Sequence, residues 1–244
     1  MQLIRWIRAR ENDLDLAESM FRKSFKWREE NDLEDILTWE PPEILKRLSP
    51  YDLNTDKDGF PVVIVSAGRV DLKRILQAGY MKEFIRYNIQ TWERAMEKMK
   101  GRLTPDGVPM TQYVCVLDME GLSMKYVASI KVIELIKTAI QNFESNYPEI
   151  LGKCYVINVS RAFQILFGIA KPLMSGRTIQ KIEIMTTEEK WKPVLLGVID
   201  ANQLPECYGG TASSNLHSLI GYSMKEKSDT FVENLVQNLT NAVF

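Results

Sequence analysis

The residue types that usually carry chemistry are few in this chain and poorly spaced for it. There is one histidine, His217, in a polar C-terminal stretch, so histidine-based acid–base or triad catalysis would have to be built from that stretch. Asp118 and Glu120 close a strand-like run and are expected to make a poor general acid–base pair. No GxxxxGK[ST] phosphate loop accompanies Asp118, which is expected simply to terminate its strand, and no GxSxG elbow occurs. Asn54-x-Asp56-x-Asp58-Gly59 imitates a calcium loop, but its twelfth position is Val65 and Pro61 interrupts it, so it is expected to be a turn. Cys115, Cys154 and Cys207 are odd in number, widely separated and form no CxxC pair, which suggests neither zinc nor a disulfide framework. Nothing in this set makes an enzyme, and neither a metal nor a cofactor is expected.

The elements that would position these residues alternate. Val62 to Val65, Tyr113 to Leu117, Cys154 to Val159 and Lys181 to Thr186 read as four strands, the first a continuous β-branched run. Between them, Tyr80 to Lys100 is predicted as a helix stopped by Gly101, with Tyr80, Phe84, Tyr87, Trp92, Met96 and Met99 inward. A second helix is predicted from a Ser123 cap to about Tyr147, with Val127, Ile130, Ile133, Ile136, Ile140 and Phe143 inward, and a short one spans Trp191 to Leu196. Such alternation favours an α/β fold with a mostly parallel sheet and helices packed on it. Residues 1 to 48 read as helical, capped at Asp13, with Leu14, Ala17, Met20, Phe21, Phe25 and Trp27 as the apolar face. The segment from Ser49-Pro50 to Asp58-Gly59 reads as a polar, turn-rich link. The chain thus divides into a helical lobe over 1–50, a main domain over 51–211 and a polar tail over 212–244.

Composition fits a soluble globule, with 45% apolar and 26% charged residues in 244. A net charge of −1 offers no field for nucleic acid, and attraction to acidic membrane lipids would need a local basic patch. The N-terminal MQLIRWIRAR lacks a continuous apolar core for a signal peptide, so a cytoplasmic, reduced protein is expected.

One stretch is unusually apolar. Phe163, Ile165, Leu166, Phe167, Ile169, Leu173 and Met174 crowd a short helical segment around most of its circumference. A helix without a polar face is buried or faces something apolar, and this one is far short of the roughly 20 residues of a membrane span. It is either a core helix or a lid over a cavity that holds a hydrophobic molecule.

Motifs on either side bear on that choice. Ile7-Arg8-Ala9-Arg10 with Asp13-Leu14, Ala17 and Trp27-Arg28 resembles the helical lead-in of CRAL-TRIO lipid-transfer proteins. Asp58-Gly59-x-Pro61-Val62, Leu117-Asp118-x-Glu120-Gly121-Leu122, Asn146-Tyr147-Pro148-Glu149, Lys171-Pro172 and Tyr208-Gly209-Gly210 resemble the same family in the same order. Trp39-Glu40-Pro41-Pro42-Glu43 looks most like the animal branch that contains supernatant protein factor, and phosphatidylinositol-transfer proteins of yeast belong to the same family. The resemblance implies a mixed, mostly parallel sheet flooring a hydrophobic pocket, gated by the apolar helix, beside a short helical lobe. It implies a non-enzymatic carrier that takes one lipid from a membrane it touches transiently.

Family members that bind phosphatidylinositol grip its headgroup with a small polar set, which carries over to Arg10, Glu149, Thr178 and Lys181. The chemistry is apt, since Arg offers phosphate a planar fork, Lys a point charge, and Glu and Thr can hydrogen-bond inositol hydroxyls. The gate and pocket residues carried over are Phe163, Ile165, Leu166, Phe167, Ile169 and Met174, with Gly152 and Gly210 as hinges that tolerate backbone rotation. Two departures stand out. A lysine that often follows the lead-in arginine is Glu11 here, and the hydroxyl positions that serve a choline headgroup read Tyr113 and Cys115. The second disfavours phosphatidylcholine and admits a tocopherol, retinoid or squalene as ligand. The alternative to a carrier is a phosphoinositide-sensing or small-GTPase-regulating module without net transfer.

Overall fold

The computed structural model describes residues 2–214 and Leu216; His217 and the rest of the polar tail lie outside the described residues. Two helices, α1 (Gln2–Ala9) and α2 (Leu14–Glu30), open the chain. Asp13 caps α2 as expected, its Oδ1 accepting from the Leu16 amide at 2.9 Å. The buried face of α2 is narrower than the periodicity predicts. Trp6 of α1 packs on Ala17 and Met20, and Ser24 is also buried, while Leu14 and Phe25 are exposed at 66% and 56%. The segment between α2 and α3 (Glu43–Leu48) is turns and irregular chain rather than helix, and Pro42 stands immediately before α3.

The predicted four strands are present, with a fifth that sequence reading missed. β1 (Tyr51–Thr55) pairs antiparallel with β2 (Pro61–Val65), so the supposed link is a hairpin. Its turn is the calcium-loop mimic, in which Asp56 Oδ1 accepts from the Asp58 and Phe60 amides at 3.0 and 2.8 Å. After α4 (Leu72–Gln77) and α5 (Met81–Met99) comes β3 (Tyr113–Asp118). The single helix expected after Ser123 is two, α6 (Met124–Val127) and α7 (Ile130–Asn146). Ser123 caps only α6, and Ile130, expected inward, is 74% exposed at the start of α7, whose most buried apolar residues are Val132 and Leu135. β4 (Leu151–Ile157), α8 (Arg161–Ala170), α9 (Gly176–Gln180), β5 (Ile182–Ile184) and α10 (Glu188–Val198) complete the order. The sheet runs β1-β2-β3-β4-β5, parallel from β2 onward. Among the described residues no helix is long and apolar enough to cross a membrane.

Period-two alternation divides the sheet into two unlike faces. Val62, Ile64, Val116, Tyr155 and Ile157 pack against Trp191, Leu195 and Ile199 in a filled core. Val63, Cys115 and Val156 turn the other way, toward α5, α7 and α8. The N-terminal lobe closes that side through a buried polar contact. Arg28 of α2 pairs with Glu93 of α5, and Tyr147 donates its hydroxyl to Glu93 Oε1 at 2.7 Å. Trp27, Trp92 and Phe143 surround Tyr147 with ring centroids 5.1–6.4 Å away. Burial, with the Glu93 carboxylate adding to it, pushes the Tyr147 hydroxyl far above its ordinary value, so it stays a donor.

Candidate functional site

Between that second face and the helices lies a cavity of about 380 Å³, within the range of small-molecule sites. Val63, Val65, Cys115, Leu117 and Val156 form its floor. Trp92 of α5 and Ile136, Ile140 and Phe143 of α7 form one wall, residues whose helical spacing marked them as inward but could not tell core from cavity. Phe163, Leu166 and Phe167 of α8 form another, with Phe163 and Phe167 stacked at 5.5 Å. Of the six gate residues carried over, these three and Met174 line the cavity, whereas Ile165 and Ile169 do not. Ile165 is 39% exposed on the outer side of α8, beside Arg161, Gln164 and Gly168. So α8 has an inner and an outer face, and its inner face both lines the cavity and joins the core cluster through Phe163.

Tyr113 and Cys115, the two positions expected to disfavour a choline headgroup, are buried in this lining, as is Cys154. Cys115 and Cys154 are register partners on β3 and β4. The neighbouring Cys154 thiol and burial push the Cys115 thiol well above its ordinary value, and burial does the same for the Tyr113 hydroxyl. The floor therefore stays uncharged.

The four polar residues of the expected headgroup set are not all joined. Glu149 and Lys181 meet at 2.9 Å, largely withdrawn from solvent. Glu149 holds φ +61°, a left-handed backbone rare for a residue with a side chain, fixed here between buried Pro148 and Ile150. Thr178, on α9, lines the cavity, and its hydroxyl lies 3.0 Å from that of Ser175. Arg10 is exposed just beyond α1. What sequence reading missed is Arg177. It binds Glu11 through two bonds of 2.8 and 3.0 Å and stands 4.0 Å from Glu149, so the unfavourable Glu11 is answered by a cation 166 residues away. The arginine directly before Thr178 was the available signal. Glu144 of α7 also lines the cavity, and its Oε2 accepts from the Ser175 amide at 3.0 Å, tying α7 to the start of α9.

Asp118 is more than a strand terminator. Buried at the end of β3, it accepts from Asn158 Nδ2 at 2.8 Å, the Glu120 amide at 2.9 Å and the Tyr208 hydroxyl at 3.0 Å. The two glycines assigned as hinges both sit in close quarters. A Cβ on Gly152, inside β4, would lie 3.2 Å from Gln112 Cβ, and one on Gly210 would fall 1.9 Å from the Leu204 carbonyl oxygen. Backbone approach alone demands glycine at residue 210.

The sequence model of the CRAL/TRIO domain matches residues 50–210. Among solved structures, the protein Sfh5 matches with a TM-score of 0.67 at 20% identity, over 79% of this chain and 66% of that one, so this chain spans just under two thirds of Sfh5. The likeness to Sfh5 shows the same fold. Because the domain match takes in well over half of the 244 residues, from β1 to the glycine pair after Tyr208, the chain belongs to the CRAL/TRIO family of lipid-binding domains.

Proposed function

We propose that the protein carries a single lipid between membranes without chemical turnover, with phosphatidylinositol as ligand and α8 as the gate. The observation that carries this reading is the apolar cavity beneath Phe163, Leu166 and Phe167, with Thr178 and its polar neighbours at one end. Acyl chains gain by leaving water for such a lining, roughly 0.8 kcal/mol per buried CH₂. The headgroup is held at the polar end by Arg10, Glu149, Thr178 and Lys181. Opening swings α8 outward, with Gly152 and Gly210 absorbing the rotation, and the exposed Ile165 meets the membrane first. The site is cytoplasmic, and contact with the bilayer lasts only through exchange.

A second ligand class is supported by one observation. The floor at Tyr113 and Cys115 is buried and uncharged, which suits an isoprenoid such as squalene or a tocopherol as well as acyl chains. Vesicle-to-vesicle transfer of labelled phosphatidylinositol and of squalene tests both. The proposal expects saturable transfer of phosphatidylinositol that Phe167→Asp abolishes, because the new carboxylate faces an apolar lining. Transfer of neither lipid by the wild type contradicts it.

A further inference from the structure

Three cations bear on the headgroup reading, and they are not equally free. Lys181 is committed to Glu149, with side-chain exposures of only 20% and 13%. Arg10 is exposed and touches no described side chain through an ion pair or hydrogen bond. Arg177 presents its fork to Glu11, whose side chain is 76% exposed. An exposed ion pair of this kind is weak and easily exchanged, whereas a withdrawn one is not. The geometry itself names the competitor. A carboxylate bound to both Nε and Nη2 of a guanidinium occupies the place that two phosphate oxygens take in the equivalent bidentate contact.

We propose that Arg177 is the principal phosphate-binding residue of this chain, and that its pair with Glu11 is the ligand-free arrangement which an anionic headgroup displaces. This rests on the reading of the cavity as a lipid site and adds its specificity-determining cation. Arg177 directly precedes Thr178, which lines the cavity, and stands 4.0 Å from Glu149, so a phosphate on its fork lies among the carried-over headgroup residues. Because Glu11 follows α1 and Arg177 belongs to α9, displacement also unties the N-terminal lobe from the segment after the gate. Phosphate arrival and release of that segment become one event.

The test sets two substitutions against each other. Both Arg177→Gln and Glu11→Gln abolish the pair, so a merely structural tie makes them behave alike. The proposal expects opposite signs. Arg177→Gln lowers binding to vesicles containing phosphatidylinositol about tenfold, the loss of one charge-assisted contact, while Glu11→Gln raises it several-fold by freeing the fork. Retinol binding, which needs only the apolar cavity, is unchanged in both. Titration of inositol 1-phosphate and inorganic phosphate into the same assay identifies the source of the phosphate. Competition by either at millimolar concentration marks a site that accepts free phosphate, and its absence marks one that needs the lipid. Equal losses in the two variants, or no change in either, overturn the proposal. So does a wild type that binds retinol but no phosphatidylinositol, whereas a wild type that binds neither lipid sinks the functional reading beneath it.

Discussion

Lys181 Nζ lies 2.9 Å from Glu149 Oε2, although 32 residues, β4 and the whole of α8 separate them. The pair bridges the two ends of the β4–α9 segment, since Glu149 precedes β4 and Lys181 follows α9. Two consequences follow from its withdrawal from solvent. Lys181→Ala strands the Glu149 carboxylate and costs about 1–3 kcal/mol of stability. It also removes a cation from the headgroup set, so phosphatidylinositol affinity falls roughly tenfold or more. Parallel transfer of phosphatidylinositol and a tocopherol separates these effects. Selective loss of the first is expected, and equal loss of both points to general damage.

Asp118 predicts a different phenotype. Asp118→Ala leaves the Tyr208 hydroxyl, the Asn158 amide and the Glu120 amide without their acceptor. The expected cost is about 2–4 kcal/mol, seen as a fall in Tm of about 5–15 °C by calorimetry. Asp118 does not line the cavity, so lipid bound per folded molecule is unchanged.

These residues also mark where the sequence was legible. The β-branched run Val62–Val65 could only be a buried strand, and the apolar circumference of Ala162–Met174 pointed to an apolar neighbour. Tyr51–Thr55 was opaque because its Asp52 and Asn54 carry no strand signal. Buried Asp52 is reached by Ser214 from 162 residues away, and Asn54 donates to the Gln203 carbonyl. The hub at Asp118 gathers partners 40 and 90 residues off, and Arg177 finds Glu11 across 166. Helical spacing located α2 but not its buried side, because what decides the side is Trp6 of the neighbouring helix. Local pattern reveals elements; contacts closed by topology are invisible until the chain is folded.

The two glycines separate packing from motion. Gly210→Ala forces a methyl into the Leu204 carbonyl and destabilises the fold by about 2 kcal/mol or more. Gly152→Ala meets contacts of 3.2 Å with Gln112 Cβ and 3.3 Å with the Tyr113 carbonyl oxygen, tight but far looser than at residue 210, so the fold survives with a smaller loss. Lipid exchange rates of the second variant then test the hinge. Slower exchange at nearly unchanged Tm supports it, and wild-type kinetics remove Gly152 from that role.

The tie between lobe and gate carries a pH signature. The hydrogen bond from Arg177, reinforced by its charge, holds the Glu11 carboxyl below its ordinary 4.5. A carboxyl whose folded value is depressed contributes fully above its unfolded value and loses that contribution as pH falls through the folded one. The tie is therefore intact at neutral pH and is lost only as pH falls through the depressed value, below 4.5. Amide exchange around residues 10–13 checks this. Wild type is better protected than Glu11→Gln at pH 6, and the difference vanishes as the pH drops through the depressed value.

Cys207 is exposed as a residue, with its thiol partly withdrawn from solvent. Burial, with Asp118 adding to it, pushes its thiol up to about 11, so alkylation is slow at pH 8 and accelerates about tenfold per pH unit up to that value. A fast reaction at pH 8 would contradict the raised thiol.

Native mass spectrometry of gently purified wild-type protein tests the central claim most directly. A cavity that shelters one lipid predicts a complex heavier than the chain by the mass of one lipid molecule, near one per protein, and its loss in Phe167→Asp. A wild type that flies consistently at the mass of the bare chain, under conditions that preserve a known lipid complex, would contradict the account.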